Sequence, residues 1–471
     1  MKAIKYLVMG VLMSGIAAPV MAQDEDKAAI EAIKSNAANK AELVKIAEKK
    51  MKKNPDALVA IGRAFYEKED TANARKFAEL ADAAAKHKSA PAFLLLGDIE
   101  VAANDGGKAA SHYNQATYID PKNPDGYYKY ALVYRKISPK GAVQKLEDLH
   151  TQRPDIEVQE MIGRIYSLSM KYDEAIAAWK QVPVAKMERA NITEYALANY
   201  FLGKHEEGLE VAKQGLQKFP RAGALNRLAM MFSYELKHYD EAKKYGEALF
   251  TRSDSAKYSN VDYFYYGLTE DALKNYDAAI EEYNKALNDT ASSGLVKKEN
   301  IVRKHSDAYA AKDDYVNAIA QYKEFLAIAE KPTANDYAGL GSLYMQQAST
   351  LEGDQKTEAF KNADATYADL AKRFDTASEF STFMRARVNS QMDPDSKLGL
   401  AKPFYEELVN IIAPKAEKDK SDKARLVESY RYLIAYYLLV KDDKATAKDY
   451  AAKLLEIDPE NETAKQVISL K

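Results

Sequence analysis

The chain has 471 residues, of which 47% are hydrophobic and 29% are charged, and its formal net charge is −2. This near balance leaves no strong field that would attract nucleic acid or an anionic membrane. Cysteine is absent, which excludes disulfides, thiolate metal sites and a cysteine nucleophile. Ala, Lys, Glu and Leu are abundant and no strand-like alternation persists, so the composition indicates an all-helical chain.

Residues 1–22 have the pattern of a secretory signal peptide. They combine two early lysines, an apolar run and a small residue, Ala22, before the expected cleavage site. A retained membrane anchor is the alternative, but the apolar run is short and an acidic triplet follows at 24–26. We therefore predict an exported protein, periplasmic or secreted, that keeps no integral membrane segment after cleavage. Because it has no cysteine to acylate, we expect that it is not a lipoprotein.

Residues 23–53 are predicted to form capping helices, and a repeat begins at residue 54. A small residue recurs there about every 34 positions. These residues are Gly62, Gly97, Ala131, Gly163, Ala196, Ala229, Gly267, Ser306, Gly341, Ala386 and Ala435. A second small residue usually follows about 12 positions later, as Ala109 follows Gly97. Two small residues at this separation would let two antiparallel helices approach closely.

The copy at residues 90–123 is the most complete. It has large, small and proline residues where a helical hairpin needs them: Phe93, Leu96, Gly97, Ala109, Tyr113, Ala116 and Pro121. This pattern resembles the tetratricopeptide repeat family, in which W-x2-L-G-x2-Y and then A-x3-F precede a proline. Glu100 departs from it, since the family has tyrosine there. The resemblance implies an exported bacterial member with an all-α fold, a right-handed α-α superhelix of about 11 helical hairpins.

The repeats divide the mature chain into segments. Residues 54–290 are predicted to form a regular array, which a polar linker follows. Residues 295–459 are predicted to form a less regular array with insertions. One insertion, between Tyr344 and Ala363, must lengthen the helices of its repeat or form a loop. Residues 460–471 are predicted to be a C-terminal capping helix.

The sequence contains no motif that predicts catalysis, a metal site or a cofactor. The segment His205–Leu209 has leucine where a zinc-binding helix needs its second histidine. Gly339–Gly341 is similar to part of a nucleotide loop, but it falls inside a predicted helix and is better explained by packing. The six histidines are scattered singly. We therefore predict that the protein is not an enzyme and holds no cofactor.

Tyrosine is unusually frequent, with 33 residues, and could form a stacking surface for sugars or peptides. More than half of these tyrosines fall at packing positions of the repeat, so they are predicted to be structural. In the family, fixed positions of the first helix of each hairpin, helix A, line the inner face. Carried over, these positions predict the partner-binding residues Tyr128, Leu132, Arg135, Arg164, Leu197, Tyr200, Phe201, Met230, Tyr234, Phe264 and Leu268. Arginine together with aromatic residues is typical of protein-binding hot spots.

Two functions are compatible with these features. The first is a non-enzymatic exported scaffold whose inner face binds an unknown protein or peptide of the cell envelope. The alternative is a glycan-binding helical-repeat protein associated with an outer-membrane uptake complex. The tyrosines motivate this alternative, and the missing cysteine disfavours it, because such binders are usually lipoproteins. The Lys/Asn/Arg cluster with which chaperone-tail binders of the family hold a terminal carboxylate has no counterpart here.

Overall fold

The computed structural model describes residues 24–254, 257–289 and 294–470 of the chain. Every regular element in these ranges is helical and none is a strand, so the all-α prediction is confirmed. No helix in the same ranges is long and apolar enough to cross a membrane. The predicted signal peptide at 1–22, and residues 290–293 of the predicted linker, lie outside the described residues.

Helices follow one another through short turns. The first part of the chain forms α1 (Asp24–Ser35), α2 (Lys40–Met51), α3 (Pro55–Glu67), α4 (Thr71–Ala84), α5 (Ala90–Ala102), α6 (Gly106–Ile119), α7 (Pro124–Tyr134), α8 (Pro139–Gln152), α9 (Gln159–Ser167), α10 (Tyr172–Trp179), α11 (Arg189–Phe201), α12 (His205–Lys218), α13 (Gly223–Glu235) and α14 (Tyr239–Arg252). The rest forms α15 (Asn260–Ala272), α16 (Tyr276–Asn288), α17 (Lys298–Ala311), α18 (Tyr315–Ile328), α19 (Ala334–Ser349), α20 (Gly353–Arg373), α21 (Ser378–Met392), α22 (Lys402–Ile412), α23 (Lys420–Ala435), α24 (Lys444–Ile457) and α25 (Glu462–Ser469).

The chain divides into two compact units. The first contains the described residues through Lys237 together with the second half of α14, from Glu247. The second contains His238–Gly246 and the described chain from Lys257 onward. Within each unit, consecutive helices pack as hairpins, in which an odd-numbered helix A is followed by an even-numbered helix B.

The helix boundaries follow from local sequence. Before α3, the Asn54 side chain accepts a hydrogen bond from the Ala57 backbone N–H at 3.2 Å, and Pro55 occupies the first helical position. Ser89 caps α5 in the same way, accepting from the Ala92 N–H at 3.2 Å. Seven turns between helices A and B contain one of these residues of positive φ: Glu69, Asn104, Met170, Gly203, Lys237, Lys274 and Asp313. A left-handed residue at this position ends helix A and lets helix B begin.

The small residues of the repeat lie where the two helices of a hairpin touch. A Cβ added at Gly97 would lie 2.3 Å from Cε1 of Tyr113, and one added at Gly163 would lie 2.5 Å from Nε1 of Trp179. The second small residue of each repeat is buried: Ala74, Ala109, Ala142, Ala175, Gly208, Ala242, Ala279, Ala318, Ala363, Ala401 and Ala447. The predicted hairpin register is confirmed at these positions.

The register prediction is wrong at the last repeat. Ala435, expected at the contact between helices, is exposed. It is the final residue of α23, and a π-helical turn at Tyr436–Val440 continues the chain. Tyr436, the first residue of that turn, is buried instead, at 5% exposure.

The insertion between Tyr344 and Ala363 lengthens the helices of its repeat. Helix α19 has 16 residues and α20 has 21, and a short turn joins them. Gly353, at the start of α20, has a φ of 56°, which glycine adopts at little steric cost. The extra residues therefore extend the packed hairpin and do not form a long loop.

Candidate functional site

The helices A of four consecutive repeats in the first unit, α7, α9, α11 and α13, carry most of the predicted binding residues. Each of these helices contacts the next one directly. Side chains one repeat apart can therefore form a row. We call the half-buried or exposed members of this row the helix-A face: Tyr128, Arg135, Arg164, Glu194, Leu197, Tyr200, Phe201 and Tyr234.

Arg135 lies just after the end of α7, the first of the four helices that form the helix-A face. Its Nη1 donates to the carbonyl oxygen of Leu132, and its Nε–H is buried without an acceptor. Among the described residues, no carboxylate forms an ion pair with it. Burial, and secondly the positive charge of Arg164, lower the pKa of Arg135. Two like charges are thus held close together and partly out of water.

Arg164 has only a loose counter-charge. Its Nε lies 3.8 Å from Oε1 of Glu194, which is too long for a hydrogen bond. The Arg164 Nε–H and the other carboxylate oxygen, Oε2 of Glu194, are both buried without a hydrogen-bond partner. Burial raises the pKa of Glu194, and the charge of Arg164 opposes that rise. The row therefore holds two guanidinium groups, one carboxylate and several unused hydrogen-bonding atoms.

Two aromatic side chains at the end of α11 belong to the helix-A face. Phe201 is 44% exposed and stacks on Tyr172, with ring centroids 5.0 Å apart. Tyr200 is half-buried and lies 6.1 Å from the ring of Phe232, edge to face. Both rings are held in place by neighbours, while part of their surface remains accessible. Rigid aromatic groups of this kind add contact area at a low cost in conformational entropy.

Four of the predicted residues need correction as contact residues. Leu132 is 4% exposed and Met230 is 0% exposed in the first unit. Phe264, at 9%, and Leu268, at 7%, are buried in the second unit, where the ring of Phe264 lies 6.0 Å from that of Tyr283. In these repeats the family's inner-face positions are covered by packing, because their large apolar side chains fill space between helices. They leave no surface for a partner.

Glu194 belongs to the helix-A face although the sequence did not predict it. It occupies a position of helix A that the family does not use for its inner face. The signal that could have found it is charge complementarity with Arg164, about one repeat earlier in the chain.

The tyrosine prediction is confirmed for a large set of side chains. Those that are buried include Tyr113, Tyr127, Tyr195, Tyr283, Tyr322, Tyr344, Tyr367 and Tyr405.

In the described ranges, no group of His, Asp and Glu side chains has the arrangement of a metal site.

Solved structures offer partial likenesses. The C-terminal part of a TPR repeat-containing protein from Cytophaga hutchinsonii matches 59% of this chain and 100% of its own, with 23% identity and a TM-score of 0.45. A tetratricopeptide repeat protein from Parabacteroides merdae matches 54% of this chain and 98% of its own, with 17% identity and a TM-score of 0.35. At such TM-scores, neither likeness says anything about function. No protein-family model and no curated protein matches the chain. Its own helix pairs and glycine–aromatic contacts show an all-α fold of successive helical hairpins, as the repeat pattern of the sequence predicts.

Proposed function

We propose that this protein is an exported, non-enzymatic scaffold that binds an extended segment of a cell-envelope protein along its helix-A face. The observation that carries the proposal is Arg135, a half-buried guanidinium with no carboxylate partner among the described residues. A buried donor without an acceptor costs about 1–3 kcal/mol, and more when it is charged. A carboxylate of the bound partner would accept from this group and remove the cost.

The composition of the helix-A face supports a protein as the ligand. Two arginines next to accessible aromatic rings are the side chains that dominate binding energy in protein interfaces. Neighbouring helices lie about 8–10 Å apart, so four helices A extend over roughly 30 Å. About nine residues of extended chain would cover that length. The expected ligand is therefore a short segment with an acidic residue near Arg135 and an apolar residue near Phe201.

A photocrosslinking experiment tests this proposal. Benzoylphenylalanine replaces Phe201 in one variant and Tyr118 in a matched control. Tyr118 is 81% exposed on helix B α6, away from the helix-A face. Both variants are illuminated in intact cells that export the protein, and crosslinked peptides are identified by mass spectrometry.

The expected result is a specific crosslink from position 201 to a segment that contains Asp or Glu, with none from position 118. The same crosslink should weaken when Arg135 and Arg164 are both replaced by Gln. Equal crosslinking from both positions, or a crosslink unaffected by removal of the arginines, would show that the helix-A face is not the binding surface.

A further inference from the structure

A cavity of about 800 Å³ lies between helices α2 and α4 in the first unit, on repeats that do not contribute to the helix-A face. Helix α3 forms its floor with Leu58 and Phe65, which are 1% and 5% exposed. Val44 on α2 and Leu80 on α4 are half-buried and add apolar walls. The cavity therefore reaches the hydrophobic core, and its volume falls in the range of small-molecule sites.

The rim of the cavity is strongly basic. Lys45 and Lys49 on α2 and Lys52, which directly follows it, are exposed and recur about one helical turn apart. In the described chain, none of the three forms an ion pair with a carboxylate. Lys40 adds a fourth cation at the start of the same helix.

The acidic residues of the cavity are already engaged. The Glu48 carboxylate accepts from Nζ of Lys76 at 2.7 Å, which links α2 to α4. Asp70 caps α4, since its Oδ1 accepts from the backbone N–H of Asn73 at 3.1 Å. Neither carboxylate is directed at the lysines of α2, so the mouth of an apolar cavity keeps an excess of positive charge.

We propose that this cavity binds an amphiphilic anion: a molecule with a carboxylate head at the lysines of the rim and an alkyl chain between Val44 and Leu80, above the buried floor of Leu58 and Phe65. The positive charge of the lysines favours an anionic head group, and the apolar side chains of the cavity favour an alkyl chain. The floor is formed by helices, whose backbone N–H and C=O groups bond within each helix. An extended peptide that filled this cavity would bury its own backbone groups without partners, whereas one along the surface of the helix-A face would keep them open to water; an alkyl chain has no such groups to satisfy.

Calorimetric titration with alkanoates tests the proposal. Hexanoate, octanoate and decanoate are added to the mature protein below their micelle concentrations. Affinity should rise about fourfold for each methylene that is buried, until the chain fills the cavity. Decyltrimethylammonium, which has the same chain and a positive head, should not bind. Affinity that does not change with chain length would overturn the proposal.

Two variants locate the site. Lys45→Gln/Lys49→Gln/Lys52→Gln should weaken decanoate binding at least tenfold, whereas Lys27→Gln, which removes an exposed charge from α1, should not. Ala41→Trp, at the cavity wall, should block the chain while the circular dichroism spectrum stays unchanged. Undiminished binding to either cavity variant would overturn the proposal.

The source of the ligand is a separate arm of the experiment. Vesicles of phosphatidylglycerol present anionic head groups, but the alkyl chains of the lipid stay in the bilayer and cannot enter the cavity. Both the wild type and the Lys27→Gln control should therefore bind vesicles more weakly than they bind free decanoate. Vesicle binding without decanoate binding would mean that the lysines act only as surface charge, and the cavity would then have no ligand role.

Discussion

Replacing Asp98 by alanine should destabilise the first unit locally. The Asp98 side chain is 1% exposed on α5 and accepts from Nζ of Lys129 on α7 at 2.5 Å. It also accepts from the Tyr113 hydroxyl at 2.8 Å, and Nη1 of Arg63 on α3 lies 3.4 Å away. One buried carboxylate thus links the helices A of three consecutive repeats.

The cost follows from what the substitution leaves behind. The Lys129 side chain is only 9% exposed, so without Asp98 its ammonium group remains buried with no counter-charge. Removing one partner of a buried ion pair costs about 3–5 kcal/mol, whereas replacing both with apolar groups costs far less. The double variant Asp98→Ala/Lys129→Met should therefore recover most of the stability lost in Asp98→Ala.

Hydrogen exchange measured by mass spectrometry gives the local readout. Because each repeat touches only its neighbours, the lost free energy should appear in α5 and α7. A loss of 3–5 kcal/mol corresponds to exchange about 10² to 4 × 10³ times faster, since each 1.4 kcal/mol is tenfold. Amides of α23 and α24 should exchange as before. Unchanged protection in α5 and α7 would refute the role of Asp98, and a double variant as unstable as the single one would refute the role of the buried ammonium.

Two further predictions concern packing and pH. Gly97→Ala should lower the urea midpoint of unfolding, because overpacking against Tyr113 costs about 1–3 kcal/mol and exceeds the gain in helix propensity. The control Gly107→Ala, whose added Cβ would meet its nearest atom at an ordinary 3.6 Å, should raise the midpoint slightly. Equal shifts of the midpoint in the two variants would contradict the close contact at Gly97. Burial raises the pKa of Tyr367 to about 12, whereas its pKa in the unfolded chain is about 10. The contribution of the neutral hydroxyl to the free energy of unfolding is therefore complete below pH 10 and is lost as the pH rises to 12, because the unfolded chain ionises first. Tyr367→Phe should have the same free energy of unfolding as the wild type at pH 8 and one that is higher by roughly 2 kcal/mol at pH 11.5. If thermal unfolding shows the same difference between variant and wild type at both pH values, the prediction is wrong.

Much of the fold could be predicted from the sequence, because the contact between the two helices of a hairpin is local. Gly97 and Tyr113 are separated in the chain only by the turn between α5 and α6 and by about half of each helix. A small residue and a large one at this spacing therefore predict that α5 and α6 touch at these positions. The same reasoning fails at Ala435, a small residue that fits the pattern although its side chain is exposed and the buried residue is the next one, Tyr436.

The candidate site was less predictable, because it depends on contacts between repeats. Positions taken from a family describe an average repeat, and they cannot say that Met230 is covered while Tyr200 is not. The charges show the same limit. Glu194 lies beside Arg164, and Asp98 forms an ion pair with Lys129, because neighbouring helices A are close enough for these side chains to meet. That separation cannot be read from the sequence of a single repeat. The cavity beside α2 also depends on how far that helix stands from α4.

The central claim is that the helix-A face recognises an acidic segment. Its most direct test is a binding titration in which the crosslinked partner segment, made as a synthetic peptide, is added to the wild type and to Arg135→Gln/Arg164→Gln. The control is Arg252→Gln, which removes an exposed arginine from helix B α14. Loss of charge-assisted hydrogen bonds worth about 1.5–3 kcal/mol should weaken binding at least tenfold in the double variant and leave the control unchanged. Equal affinity of the double variant, the control and the wild type would contradict the proposed site.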